Sequence, residues 1–193
     1  MIAIFLGAPG VGKGTQAAAA AESQGWTHLS TGDLLRQEVG AGTDLGLKAK
    51  EYMDRGDLVP DDVMVGMVAT RVESMSADEV LLLDGFPRTL AQAEALHEAA
   101  PEGAIGLAVC FTASDETLVE RLLGRGRTDD TREVVEHRLT VYRETTEPLV
   151  DFYKDLGMLR EINAEREIKI IQSDTVEIIQ AGLAHTNPQG ANG

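Results

Sequence analysis

Residues Gly7-Ala8-Pro9-Gly10-Val11-Gly12-Lys13-Gly14-Thr15 constrain what this chain can become more than any other stretch. They follow Ile2-Ala3-Ile4-Phe5-Leu6, an apolar run short enough to be a buried strand. They precede Gln16-Ala17-Ala18-Ala19-Ala20-Ala21-Glu22, which has strong helix propensity. Strand, glycine-rich turn and helix in that order are the context in which such a turn wraps an anion. Gly7, Gly10, Gly12 and Gly14 let the backbone bend with its N–H groups turned inward, and the helix start adds the positive end of its dipole. Lys13 is then placed to reach the outer phosphates of a bound nucleotide, and Thr15 to offer its hydroxyl to magnesium.

The loop departs from the usual Walker A spacing. That motif puts Ser or Thr directly after the lysine, whereas here Gly14 stands there and Thr15 comes one residue later. The competing reading is a tight turn between strand and helix that holds no ligand. Lys13 and the correct flanks favour the phosphate loop.

At 193 residues the chain suits one domain, or one domain with small insertions, and can bury a full core. With 43% hydrophobic and only 4% aromatic residues, that core must be mainly Leu, Val, Ile and Ala. Acidic residues number 32 against 17 basic, a net charge of −15 that argues against binding nucleic acid or an anionic membrane. It does not exclude an anionic ligand, because a few focused arginines override a distant negative surface. Cys110 is the only cysteine, so no disulfide framework or four-cysteine zinc site fits within one chain, and its apolar neighbours make it a buried strand residue. No apolar run is long enough to span a bilayer, and the N-terminus enters the phosphate-loop strand without room for a signal peptide. A reducing cytoplasm is the expected location.

Along the chain, the pattern predicts a short strand or extended piece at Trp26 to Leu29 and an N-cap at Ser30. It predicts a helix from Leu34 to Val39 broken by Gly40 and Gly42, a helix from Leu45 to Arg55 closed by Gly56, and a helix begun by Pro60 that ends near Met75. Val80 to Leu83 reads as a central parallel strand. Thr89 caps a helix from Leu90 to Ala99, and Gly106 to Thr112 is the next strand. Ser114 caps a helix from Asp115 to Leu123 ended by Gly124. A short charged loop, 125–130, leads into a long helix from Arg132 to Leu156 that Pro148 kinks or breaks. Leu159 to Ile162 is the last strand and Ile168 to Leu183 the last helix. Alternating strands and helices imply an α/β fold, a parallel sheet with helices on both faces.

Asp84 closes an apolar strand and so sits at the carboxyl end of the sheet, where ligands bind in open α/β folds. There it can hold magnesium or its waters beside Thr15; alone, it would read equally well as a helix cap or a solvated turn. The arginines fall into two groups. Arg36, Arg55 and Arg88 lie near the glycine-bounded helices and the Asp84 turn; Arg121, Arg125, Arg127, Arg132, Arg138 and Arg143 surround the charged loop. Arg121 and Arg125 are four apart and can share a helix face, and Arg127 and Arg138 can converge across the loop. A lone arginine is usually a solvated surface residue, but a cluster beside a mobile loop in a phosphate-binding chain reads as a clamp for a transferring phosphate.

Taken together, these segments resemble the adenylate kinase family. The resemblance is carried by residues 7–16, by Leu29-Ser30-Thr31-Gly32-Asp33-Leu34-Leu35-Arg36, by Gly56-Asp57-Leu58-Val59-Pro60-Asp61, by Leu83-Asp84-Gly85-Phe86-Pro87-Arg88-Thr89 with Gln92, and by Gly126-Arg127-Thr128-Asp129-Asp130. They occur in family order from Met1 to about Leu183, and Gly14 followed by Thr15 is the family's own form of the loop. The resemblance implies a P-loop nucleotide kinase with a core of 1–29, 60–123 and 131–183. A small helical AMP-binding insertion would occupy 30–59 and a short lid without zinc 124–130, with 184–193 a disordered tail.

It further implies an ATP site at Gly10, Val11, Gly12, Lys13, Gly14, Thr15, Arg121 and Arg125. Arg166 is placed at the ATP base, where Asn163-Ala164-Glu165-Arg166 departs from the family's usual Asp-Gly. The implied AMP site uses Thr31, Arg36, the backbone of Asp57, Leu58 and Val59, then Gly85, Phe86, Pro87, Arg88 and Gln92. Arg127 and Arg138 bridge the phosphates, and Lys13, Arg88, Arg125, Arg127 and Arg138 carry catalysis. Thr15, Asp84 and Asp33 meet Mg2+, partly through water. The reaction implied is ATP + AMP = 2 ADP, in a monomer. The nearest rival is a UMP or CMP kinase, against which Thr31 and the Thr89–Gln92 pair look like the adenine-reading form. A guanine-reading GTPase would need Asn-Lys-x-Asp, which none of Asn163, Asn187 and Asn192 begins.

Overall fold

The structure is a computed structural model that describes residues 1–127 and 130–186, the side chains of His185 and Thr186 excepted. In chain order its elements are β1 (Ile2–Leu6), α1 (Lys13–Gln24), β2 (Thr27–Ser30), α2 (Thr31–Ala41), α3 (Asp44–Arg55), α4 (Asp61–Glu73) and β3 (Leu81–Asp84). There follow α5 (Leu90–Ala99), β4 (Ile105–Thr112), α6 (Asp115–Gly124), α7 (Arg132–Val141), α8 (Pro148–Asp155), β5 (Leu159–Asn163) and α9 (Ile168–Thr186). The strands form one parallel sheet in the order β2-β3-β1-β4-β5.

Every residue of β1 is buried, and its alternate side chains go to opposite faces. Ile2, Ile4 and Leu6 join Leu81 and Leu83 in a layer with Met64, Val68 and Val72 of α4, Leu96 of α5 and Tyr153 of α8. Ala3 and Phe5 join Leu82, Val109 and Phe111 against Ala17 and Ala20 of α1, Leu118 of α6 and Ile179 of α9. A sheet covered on both faces explains why its central strands read as unbroken apolar runs rather than alternating ones. Register places Phe5 beside Asp84 and Ser30 beside Asp84, so β1, β2 and β3 end at one level. The loops that leave this carboxyl edge build the site.

Helix starts follow local chemistry. Side-chain oxygens of Ser30, Thr43, Thr89, Ser114 and Thr131 accept the first free backbone N–H groups of α2, α3, α5, α6 and α7. The phosphate-loop helix α1 is different: it is entered through Gly12 at φ 107° with no side-chain cap, which leaves its N-terminal N–H groups for another acceptor.

The structure corrects several expected boundaries. Gly40 does not break α2, which continues to Ala41 and stops at Gly42 in the left-handed region, φ 66°. Pro60 is the residue before α4 rather than its first turn, and α4 ends at Glu73. The expected long helix from Arg132 is two, α7 and α8, joined by a π-helical turn over Tyr142–Thr146. Pro148 has no N–H to donate, and the wider turn, closed by Glu147 N–H on Tyr142 O at 2.9 Å, delivers it to the first turn of α8. Residues 184–186, expected in a disordered tail, continue α9; 187–193 lie outside the described residues, as do Thr128 and Asp129 of the expected lid. Gly124, expected to open the lid, is the last residue of α6.

The pair α2 and α3 packs through Gly46. A Cβ at that position would overlap the carbonyl of Glu38 and the amide of Val39, both backbone atoms that cannot swing aside. Gly46→Ala is therefore expected to destabilise the chain by about 2 kcal/mol through overpacking. Urea denaturation checks this, and a variant as stable as the parent would mean that the two helices do not meet here.

Candidate active site

One cavity of about 810 Å³ opens at the carboxyl edge of the sheet, and it gathers nearly every residue singled out from the sequence. The phosphate loop from Gly10 to Thr15 forms its floor with Asp84 and Gly85. Asp33 and Arg36 of α2 and the segment Asp57, Leu58 and Val59 form one wall, with Pro87, Arg88 and Gln92 beside them. Arg121, Arg125, Arg127, Arg138 and Arg166 close the other side. Two expected residues stand behind the wall. Phe86 is in the apolar core, and Thr31, fully buried, donates its hydroxyl to Gly85 O at 2.9 Å.

Lys13 folds over its own loop, donating to Gly7 O at 2.6 Å and Ala8 O at 3.1 Å. Burial pulls its pKa down to about 8, against the opposing pull of Asp84. Asp84 lies over the phosphate loop, its Oδ2 3.1 Å from where a Cβ on Gly14 would stand. A side chain at position 14 would need that carboxylate to give by a few tenths of an ångström. Burial pushes Asp84 up, but the neighbouring His28 ring and the Lys13 ammonium outweigh it and hold the carboxylate below its ordinary range. His28 Nε2 is 3.6 Å from Asp84 Oδ2, too far for a direct hydrogen bond, and has no hydrogen-bond partner among the described residues.

The arginines divide into held and gathered groups. Arg121 donates to Val11 O at 3.2 Å and Ala164 O at 2.9 Å, tying the phosphate loop to the loop after β5 rather than pairing with Arg125. Arg125 makes a two-pronged pair with Asp130 at 2.8 and 2.7 Å, and Arg138 reaches the same carboxylate at 2.8 Å and Met53 O at 3.2 Å. Arg88 donates Nε to Gly85 O at 2.8 Å. Burial and the charges of Arg138 and Arg36 lower its pKa, against the pull of Asp84. Burial and the charges of Arg125 and Arg36 lower that of Arg127 in the same way. Both remain ionised at any working pH. Arg36 is ion-paired with Asp33 one turn earlier on α2. Arg166 is ion-paired with Asp174 and donates to Asn163 O at 3.2 Å.

Four supporting residues are given no role by the sequence, although Asp61 and Asp130 each end a motif segment. Asp130, whose side chain is 1% exposed, is the shared counter-charge of Arg125 and Arg138. Its hint in the sequence is a pair of acids ending a basic loop. Asp61 accepts from Thr89 and Gln92 of α5. Thr146, in the π-helical turn, donates to Arg88 O at 2.8 Å. Glu165 accepts from the Ser114 amide and hydroxyl and from Thr117, which takes its pKa down to about 2 and ties the loop after β5 to α6.

The Asp84 carboxylate and the Thr15 hydroxyl line the cavity beside the phosphate loop, with the His28 ring 3.6 Å from Asp84, and hard oxygen donors of this kind suit magnesium. Among the described residues no three or more His, Cys, Asp or Glu side chains come together as a metal site. No helix among them is long and apolar enough to cross a membrane.

Comparison with known proteins agrees with this geometry. The family model described as Adenylate kinase matches residues 5–158. An adenylate kinase of Prochlorococcus marinus (strain MIT 9211) is 51% identical over 168 residues, 86% of this chain and 90% of that protein. One of Corynebacterium glutamicum (strain R) is 47% identical over 178 residues, 91% of this chain and 97% of that protein. One of Synechococcus sp. (strain WH7803) is 47% identical over 170 residues, 87% of this chain and 92% of that protein.

The depressed pKa of Lys13 has a direct test, because the chain contains only five lysines. In an NMR titration of the side-chain resonances, one lysine should titrate near pH 8 and the rest near their ordinary value of about 10.4. Lys13→Arg should remove the early one. A folded-state pKa below the unfolded one means that charged Lys13 costs stability below pH 8, so stability should rise with pH from about 8 to 10.5. Five lysines titrating together would contradict the burial of Lys13.

Proposed function

The chain belongs to the adenylate kinase family of phosphotransferases, and on that premise we propose that its cavity binds ATP and AMP end to end and transfers the terminal phosphoryl group between them, ATP + AMP = 2 ADP. What supports this best is the concentration of cations. Lys13, Arg36, Arg88, Arg125, Arg127 and Arg138 all line one cavity in a chain whose net charge is −15. Only a polyanion gives such a gathering a purpose, and two phosphate chains meeting head to head supply it.

In this reading the ATP phosphates lie on the backbone N–H groups of residues 10–15 and on Lys13, with Arg121 and Arg166 toward the base. The AMP phosphate meets Arg36 and Arg88, its base lies against Gln92, and Asp57 to Val59, with Gly85 and Pro87, complete the pocket. Thr31 and Phe86 act from behind the wall. An oxygen of the AMP phosphate attacks the γ-phosphorus of ATP, the bond from that phosphorus to the β–γ bridging oxygen breaks, and ADP leaves. The attacking oxygen is already anionic, so no general base is needed. Arg125, Arg127, Arg138 and Lys13 neutralise the charge that spreads over the transferring group.

Thr15 and Asp84, and Asp33 through water, would hold magnesium, which would supply positive charge to offset that of the phosphates. The insertion 30–59 and the short lid 124–130 would close over the nucleotides and exclude water, which otherwise competes with AMP for the phosphoryl group. We place the enzyme in the cytoplasm as a monomer, without nucleic-acid or membrane partners.

A coupled assay of ADP formation tests the reading, with AMP expected to outperform UMP and CMP as acceptor. Arg88→Ala should raise KM for AMP at least about tenfold, the worth of one charge-assisted contact, and leave KM for ATP within about twofold. Equal losses for both nucleotides would mean that the two sites are reversed or merged. Lys13→Ala should remove most turnover with the fold intact, and activity within a few-fold of the parent would contradict its role.

A further inference from the structure

We propose that Asp61 is a positioning residue that fixes which way round the Gln92 amide faces the acceptor base, and so sets the preference for adenine over a 6-oxopurine. The inference rests on the reading above, in which that base meets Gln92. Gln92 is 1% exposed in the cavity wall, and both ends of its amide are engaged. Nε2 donates to Asp61 Oδ1 at 2.7 Å, and Oε1 accepts the Arg88 backbone N–H at 2.7 Å. Thr89 completes the arrangement, donating its hydroxyl to Asp61 Oδ2 at 2.9 Å and accepting the Gln92 N–H at 3.2 Å.

An amide can normally rotate end for end, since its two faces have the same shape. Here it cannot. Asp61 offers only acceptors and the Arg88 N–H is only a donor, so a flipped amide would exchange two hydrogen bonds for two repulsions. The locked amide keeps one N–H and one lone pair, side by side, for a ligand. Adenine presents an acceptor at N1 beside the 6-amino donor, which matches. Hypoxanthine and guanine present N1–H beside a 6-oxo acceptor, the reverse order, and meet donor with donor and acceptor with acceptor. Asp61 sits in the first turn of α4, yet that helix has no side-chain cap, and both Asp61 oxygens bond to residues of the α5 start instead. Asp62, in the same turn, serves the helix dipole without it.

The experiment compares AMP with IMP as acceptor at saturating ATP, using Asp61→Ala, Asp61→Asn and Gln92→Leu, with melting temperatures for each. Asp61→Ala should lower the AMP:IMP ratio of kcat/KM about tenfold through KM for AMP, with KM for ATP within about twofold. Asp61→Asn keeps an oxygen facing Nε2 and should lose only about threefold; if the alanine variant does not fold, this ratio decides alone. An unchanged ratio in Asp61→Ala while Gln92→Leu loses it would overturn the role of Asp61 and leave the base reading standing. AMP kinetics unchanged in Gln92→Leu would overturn both. A loss shared equally by ATP and AMP would reduce Asp61 to a tie between α4 and α5.

Discussion

The constraint on which this structure depends is the mutual repulsion of the cations around its cavity. Two like charges about 4 Å apart near a protein surface cost on the order of 4 kcal/mol. Arg88 feels Arg36 and Arg138, and Arg127 feels Arg36 and Arg125. The fold meets this cost with a few carboxylates in fixed places. Asp130 binds Arg125 and Arg138, Asp33 binds Arg36, and Asp84 faces Lys13. Each is a partner that a phosphate can join or replace, so the resting charge pattern already outlines the ligand.

The scaffold makes this possible by ending three strands at one level. Phe5, Ser30 and Asp84 lie in register, so the phosphate loop, the start of α2 and the Asp84 turn leave the sheet side by side. From there each segment is fixed by short, specific contacts: Thr31 on Gly85, Thr146 on Arg88, Arg121 on both the phosphate loop and the loop after β5. The segment assigned to the insertion is tied to the rest both by buried packing of Leu35, Ala49 and Val59 and by contacts nearer the solvent. Asp57 reaches His137 at 2.7 Å and Arg55 at 2.9 Å, contacts that are all largely exposed and worth little in water.

Much of this was legible in the residues themselves. The apolar runs Ile2 to Leu6 and Leu81 to Leu83 and the glycines before Lys13 determine a parallel sheet and its loop without any partner being known, because burial on both faces and positive φ leave few other residue choices. Caps at Ser30, Thr89 and Ser114 were equally plain. What was not legible depends on contacts between distant segments. Asp130 is one acid among 32, and only the fold brings Arg125 and Arg138 to it. Pro148 signalled a break but not a π-helical turn, since the extra residue is accommodated by Thr146 meeting Arg88 across 58 positions. Gly40 passed as a helix breaker because its cost, about 1 kcal/mol, is one that packing of α2 on α3 overrides. Motif position alone does not tell a cavity wall from what stands behind it, where Thr31 and Phe86 lie.

The central claim is that one cavity takes two phosphate chains end to end and that closing over them needs both. Two adenosines joined by five phosphates span both sites in one molecule. Titration calorimetry with this compound, followed by hydrogen exchange on the complex, tests the claim directly. The account predicts binding at least about a hundredfold tighter than ATP or AMP alone, since the second contact becomes intramolecular. It also predicts slowed exchange in residues 30–59 and 124–130, with the sheet unchanged. Affinity no better than that of ATP, with neither segment protected, would contradict it.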